Sequence, residues 1–219
     1  MSEIGLYEAM STLRAVRKLR PDPIPDDIVR RVFQAACWAP TGGNRQVWRM
    51  IAVRDPVLKA RLGEMYGEVW TPFAADYAKM AEGMSEEEQA RMGRVLDAGT
   101  RMGEHLGETP IAVVVCHLAS GLAVTDIDQD RIPVVGGGSI YPAVQNLMLA
   151  CRAEGLGCVL TTLLCQVEPE VKALLNIPDE WATSAMVPSG YPVGKGHGSI
   201  TRKPVEELIH TDKFGAAFA

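Results

Sequence analysis

An α+β fold with a mixed sheet flanked by helices is what the order of elements along this chain predicts. Three observations carry the expectation. Apolar runs of strand length lie between stretches with helical spacing. Their order is helices, strand, helices, strand, helix, strand, helix, strand, which is not the regular alternation of a doubly wound fold. The chain has 219 residues, 47% hydrophobic, with no internal repeat or low-complexity linker, so one domain over residues 1–219 can bury its own core.

Each element has a local reason. Glu3 to Val16 reads as a short amphipathic helix, with Ile4, Leu6, Tyr7, Met10 and Leu13 on its apolar side. It runs into a basic cluster of Arg14, Arg17, Lys18 and Arg20. "PDPIPDD" is a rigid turn, with Asp26 a candidate N-cap. The next helix, Asp27 to Trp38, carries Ile28, Val29, Val32, Phe33 and Ala36 at helical spacing. A small polar loop, Thr41-Gly42-Gly43-Asn44-Arg45-Gln46, precedes a buried strand over 47–54. Residues 56–108 hold five of the methionines, the acidic run Glu86-Glu87-Glu88 and no strand signal; they read as two or three helices, a candidate mobile cover.

The second half is more apolar. "TPIAVVVCHL" (109–118) is a buried strand, and the polar, glycine-rich stretch 121–139 is a loop. Ser139 to Glu154 is an apolar helix with Tyr141-Pro142 near its start, where proline is tolerated. "GLGCVLTTLL" (155–164) reads as a tight turn and a short strand, Glu168 to Leu175 as a short helix, and "SAMVPSGYP" (184–192) as the last core strand. A glycine-loosened loop bearing Lys195, Arg202 and Lys203 follows, and the tail 205–219 has few packing signals.

Composition excludes several classes. The net charge of -5 gives no hint of a nucleic-acid-binding stripe. No apolar run reaches the ~20 residues of a membrane span. The start lacks the basic and apolar blocks of a secretory leader. Cys37, Cys116, Cys151, Cys158 and Cys165 form no CxxC pair and sit mostly in apolar runs, so they read as reduced, buried and structural, which fits the cytoplasm.

Most catalytic motifs fail. "GLGCVL" has Leu160 where the last glycine of a dinucleotide fingerprint belongs, and it follows a helix. "GYPVGK" is too short for a P-loop. The four histidines form no zinc pattern, so no metal site is expected. Cys116-His117 reads better as a buried strand end than as a catalytic pair, and "TDIDQD" as a solvated loop rather than a cation site. What survives is a binding site. Arg14 and Arg17 near one end and Arg202 and Lys203 near the other would form an anion clamp if the fold joins them. With the loop 41–46 and the Thr161-Thr162 turn, they suit a phosphate-bearing ring ligand, and the absence of an evident catalytic residue suits a cofactor that carries the chemistry.

These residues resemble a known family. "LRAVRKLRPDPIPDD", "APTGGNRQVW" and the strand after it resemble the opening of the FMN-dependent nitroreductases. "PAVQNLMLACRAEGLGCVLTT" resembles their central helix and G-L-G turn, and "SGYPVGKG" with "TRKPVEELI" resembles their ending. The resemblance implies an intertwined homodimer with FMN at the subunit interface. It implies that Arg14 and Arg17 hold the phosphate and ribityl chain, with Ala15 and Val16 lending backbone. Arg202 would close the clamp, helped by Lys203. Thr41, Gly42, Asn44 and Gln46 would contact the flavin, partly from the partner subunit, and Thr161, Thr162 and Leu163 would lie beside the ring edge. Leu13, Ala15, Leu19, Thr41 and Val47 depart from the usual Arg, Ser, Phe, Ser and Pro.

The activity implied is NADH- or NADPH-driven reduction of a nitroaromatic, quinone or enone by ping-pong hydride transfer, with no catalytic side chain beyond the flavin. Reductive dehalogenation, oxygen-dependent flavin fragmentation and non-enzymatic flavin storage are the alternatives. The sequence reads neither the donor nor the acceptor.

Overall fold

The computed structural model describes residues 4–218. Four strands, β1 (Trp48–Val53), β2 (Ile111–Leu118), β3 (Gly157–Cys158) and β4 (Trp181–Gly190), form one sheet in the order β1-β2-β4-β3. Strand β2 alternates between two cores. Ile111, Val113 and Val115 face α2 (Asp26–Cys37) and α5 (Tyr141–Ala153), together with Ala185 and Val187 of β4. Ala112, Val114 and Cys116 face the other way, onto Leu62, Met65 and Tyr66 of α3 (Pro56–Ala81) and Val171 of α6 (Glu168–Leu175). Both faces are covered, which is why "IAVVVC" is apolar without alternation.

The three named ladders are all antiparallel. The sheet is mixed only through an isolated parallel bridge between Ala15 and Cys158. That bridge also corrects the first helix. Helix α1 (Leu6–Thr12) stops before Leu13, whose backbone is extended. The next residues pair at the sheet edge instead: the Val16 amide donates to the Cys158 carbonyl (2.9 Å), the Arg20 amide to Tyr191 (2.8 Å), and the Val193 amide to Lys18 (2.9 Å). Nonlocal backbone bonds override the helical spacing of this stretch. Residue Glu3, the expected helix start, lies outside the described residues.

Other boundaries have similar causes. Asp26 is the first residue of α2 and not its cap; it pairs with Arg54 (2.7 Å) and places a negative charge in the first turn. The expected strand over 155–164 shortens to β3, after which Thr161 alone rejoins β4 through two backbone bonds with Met186 (2.9 and 2.8 Å).

Residues 56–108 form two helices, α3 and α4 (Glu86–Glu104), without a strand. Asp55 caps α3 by accepting from the Val57 and Leu58 amides, and Ser85 with Glu88 forms a capping box on α4. The pair crosses closely because Gly99 leaves room for the Trp70 indole, whose Nε1 donates to Thr100 (2.8 Å). Among the described residues, no helix is long and apolar enough to cross a membrane.

Candidate functional site

The N-terminal basic segment is fixed by its own strand geometry. Val16 is buried against Gly157, where a Cβ would lie 2.6 Å from Val16 Cγ1. Its neighbours Ala15 and Arg17 therefore project to the opposite side. Arg14 and Ala15 are exposed and Arg17 is half-buried. Arg17 lies close enough to Tyr66 for its charge to act on the phenol, which burial nonetheless pushes up to about 12.

The chain's end comes to the same edge. The Gly198 amide donates to the Thr12 carbonyl (3.3 Å), and a Cβ at Gly198 would sit 3.7 Å from Arg14 Nη1. His197 Nε2 donates to the Leu156 carbonyl (2.9 Å), and burial lowers the pKa of its ring. Arg202 and Lys203 follow, both exposed. Arg202 Nη1 donates to the Thr201 carbonyl (2.8 Å), and Lys203 pairs with Glu207 (3.3 Å). Neither contacts Arg14 by a hydrogen bond. Among the described residues, Arg14, Arg17 and Arg202 have no carboxylate partner.

The Thr161 turn lies three residues beyond the Ala15–Cys158 bridge. Thr161 Oγ1 accepts from the Leu163 amide (3.4 Å), Thr162 is exposed and Leu163 half-buried. The polar loop is built differently. Gly43, Asn44 and Gln46 all adopt left-handed backbone (φ 56°, 53° and 50°). Glycine and asparagine tolerate this; Gln46 is held there by its amide donating to Thr41 Oγ1 (3.0 Å) and its side chain to the Asn44 carbonyl (3.3 Å). The Gly42 amide donates to Ser139 Oγ (3.0 Å) at the entry of α5. No hydrogen bond ties this loop to the Arg14–Arg17 segment of its own chain.

The sequence reading missed a second polar constellation. A cleft of about 550 Å³ lies between the C-terminal end of β2, the start of β4, the entry of α5 and the loop 121–139. His117 Nδ1 lies 2.7 Å from Ser184 Oγ, and the Tyr141 hydroxyl donates to the Ser184 carbonyl (3.3 Å). Burial lowers the His117 pKa. Cys116 is not its partner: alternation sends Cys116 to the other core, where burial pushes its thiol up to about 11. The only local signal was polar residues closing apolar strands.

Two expectations are corrected. Asp126 of "TDIDQD" is buried, 4% exposed, and accepts from the Val134 amide (2.8 Å), the Val135 amide (3.3 Å) and Arg131 (2.7 Å). These bonds hold its carboxyl below the usual range and make it the loop's internal anchor. Of the five free cysteines, Cys116, Cys151 and Cys158 are buried, but Cys37 is exposed at the end of α2 and Cys165 is half-buried. No cluster able to hold a metal ion occurs among the described residues.

Among the described residues, the helix-covered α+β sheet carries Arg14, Arg17 and Arg202 near one edge with no carboxylate engaging them. The sequence model of the Nitroreductase family matches residues 12–191, and the chain belongs to that family. It is 30% identical over 198 residues to a protein of Thermus thermophilus named NADH dehydrogenase, covering 90% of each chain. It is 32% identical over 190 residues to a 5,6-dimethylbenzimidazole synthase of Rhodospirillum rubrum, covering 86% of this chain and 82% of that one. Its fold matches the crystal structure of oxidized iodotyrosine deiodinase bound to FMN and 3-iodo-L-tyrosine, with a TM-score of 0.72 at 23% identity, over 96% of this chain and all of that one.

Proposed function

We propose that this oxidoreductase-family chain is an FMN-dependent NAD(P)H oxidoreductase that reduces nitroaromatic, quinone or enone acceptors as a homodimer. The observation that carries the reading is the convergence of three distant segments on one sheet edge: Val16 on Cys158, Thr12 on Gly198, and Thr161 beyond β3. The residues fit a phosphate-bearing flavin. Arg14 and Arg17 carry charges that no carboxylate of the described chain neutralises, and a guanidinium fork matches phosphate oxygens.

Bound FMN would supply two-electron hydride chemistry. The chain's part is placement. Arg14 and Arg17 hold the phosphate end, Ala15 and Val16 lend backbone, and Arg202 closes the clamp, with Lys203 a lesser partner because Glu207 already engages it. Thr161, Thr162 and Leu163 border the ring edge. The braced loop of Thr41, Gly42, Asn44 and Gln46 serves the partner subunit's flavin, since its hydrogen bonds run to Ser139 and away from Arg14. The α3–α4 pair covers the site. Five unpaired cysteines fit a cytoplasmic protein.

The test is anaerobic mixing of the purified protein with NADH and NADPH separately, following flavin absorbance. Fast bleaching by either supports the reading and names the donor. Bound flavin that neither donor bleaches overturns it. The names of the relatives point to two other reactions on this fold, so 3-iodotyrosine and molecular oxygen belong among the acceptors tried.

A further inference from the structure

The cleft at the end of β2 contains a donor that nothing else among the described residues uses. The register between β2 and β4 slips at one place: Val115 pairs with Ala185, but Cys116 pairs with Thr183. Ser184 is the extra residue of this bulge. Bulges re-aim side chains, and here the hydroxyl turns onto His117 Nδ1 at 2.7 Å. Ser184 is 6% exposed, and its Oγ has no other hydrogen bond. If Nδ1 carried the proton, the serine hydroxyl hydrogen would be buried without an acceptor. The network is satisfied when Ser184 donates to Nδ1, which leaves the hydrogen of the neutral imidazole on Nε2. Among the described residues nothing accepts from Nε2, and the ring lines the cleft.

The rest of the lining states what that donor meets. Thr162, Gln166 and Tyr141 supply neutral polar groups, Thr183 is already engaged by Glu168 (2.8 Å), and Leu122, Val124, Pro133 and Val134 form an apolar lip. No Asp, Glu, Lys or Arg lines the cleft. The nearest carboxylate, Glu168, lies behind the wall and is engaged by Thr183, so an anionic ligand would lose hydration there without a counter-charge. Asp126 braces the loop that carries the lip by accepting from the Val134 and Val135 amides. The volume of about 550 Å³ suits a small-molecule ligand.

We propose that this cleft binds the electron acceptor as an uncharged ring carbonyl, a quinone or enone, with its oxygen on His117 Nε2–H and its ring against the Leu122–Val134 lip. The assignment rests on the oxidoreductase reading, because Thr162 joins the cleft to the turn expected beside the flavin. His117, oriented by Ser184, is then the residue that selects carbonyl acceptors.

The experiment titrates the protein, with its native cofactor content, with menadione while the imidazole signals are followed by long-range ¹H–¹⁵N correlation. His117→Gln assigns the resonance. The expected result is a saturable shift of His117 with half-buried His210, far along the chain in the C-terminal tail, unmoved. His117→Leu should weaken menadione binding about tenfold, and His117→Gln, which keeps an N–H donor, should stay within about threefold of the parent. An unshifted His117 at saturating menadione overturns the proposal, as does unchanged affinity in folded His117→Leu. If His117 shifts while neither NADH nor NADPH bleaches the flavin, the reductase reading falls and the ring-carbonyl site stands.

Discussion

Two charged regions of this molecule are built in opposite ways. The Asp126 carboxylate is buried and accepts from two backbone amides and Arg131, so its charge is spent inside the loop. Arg14 and Arg17 are held in place by the backbone of the strand that carries them, and their guanidinium groups have no carboxylate partner among the described residues. The difference separates structure from binding. A saturated charge stabilises its own loop, whereas charges positioned by backbone and left unpaired are available to a ligand.

The largest effect that can break this comparison is at Arg14. Arg14→Ala should weaken FMN retention about tenfold or more while leaving the melting temperature of the flavin-free protein unchanged, because the side chain supports a ligand and not the fold. Flavin stoichiometry after dialysis, read beside a melt of the stripped protein, checks both halves. Full flavin occupancy would place the phosphate elsewhere.

Gly157→Ala tests the backbone that positions the arginines. Its Cβ would meet Val16 Cγ1 at 2.6 Å, so the strand edge must shift. Overpacking of this kind costs about 1–3 kcal/mol, and urea denaturation should show it together with reduced flavin content. Loss of stability without loss of flavin would uncouple the edge from the site.

Asp126→Asn reverses the pattern: stability falls and flavin retention holds. Its native carboxyl titrates below the unfolded one, so its stabilisation is present above the unfolded pKa of about 4. It disappears as pH falls through the lower folded value. The parent and the variant should therefore differ in melting temperature at pH 7 and converge at the acid end of the scan.

The smallest effect lies far from both regions. Ser85→Ala removes the capping box of α4 and should cost about 1 kcal/mol, read by urea denaturation, with no change in flavin content. A fall in flavin content would show that the α3–α4 pair braces the site.

Much of the fold was legible locally. The six-residue apolar run of β2 follows from its unbroken hydrophobicity, and the α2 and Glu168–Leu175 helices from the spacing of apolar residues such as Ile28, Val32 and Ala36. The first helix was overextended because its continuation looks equally helical in sequence; only pairing with Cys158 and Tyr191 makes it extended. The buried Asp126 was misread because its backbone donors lie eight and nine residues away in a loop with no periodicity.

The candidate site divides along the same line. The sequence by itself determined the charge types, the polar loop, the family and the buried strand that became β2. Only the tertiary structure decided which residues meet. It laid the Arg14 segment beside β3 and brought Gly198 to Thr12. A bulge between two distant strands turned Ser184 onto His117. Periodicity and residue chemistry act over a few neighbours in the chain, whereas strand pairing and bulges are settled between segments far apart in the chain, 67 residues for Ser184 and His117, by bonds that no local pattern encodes.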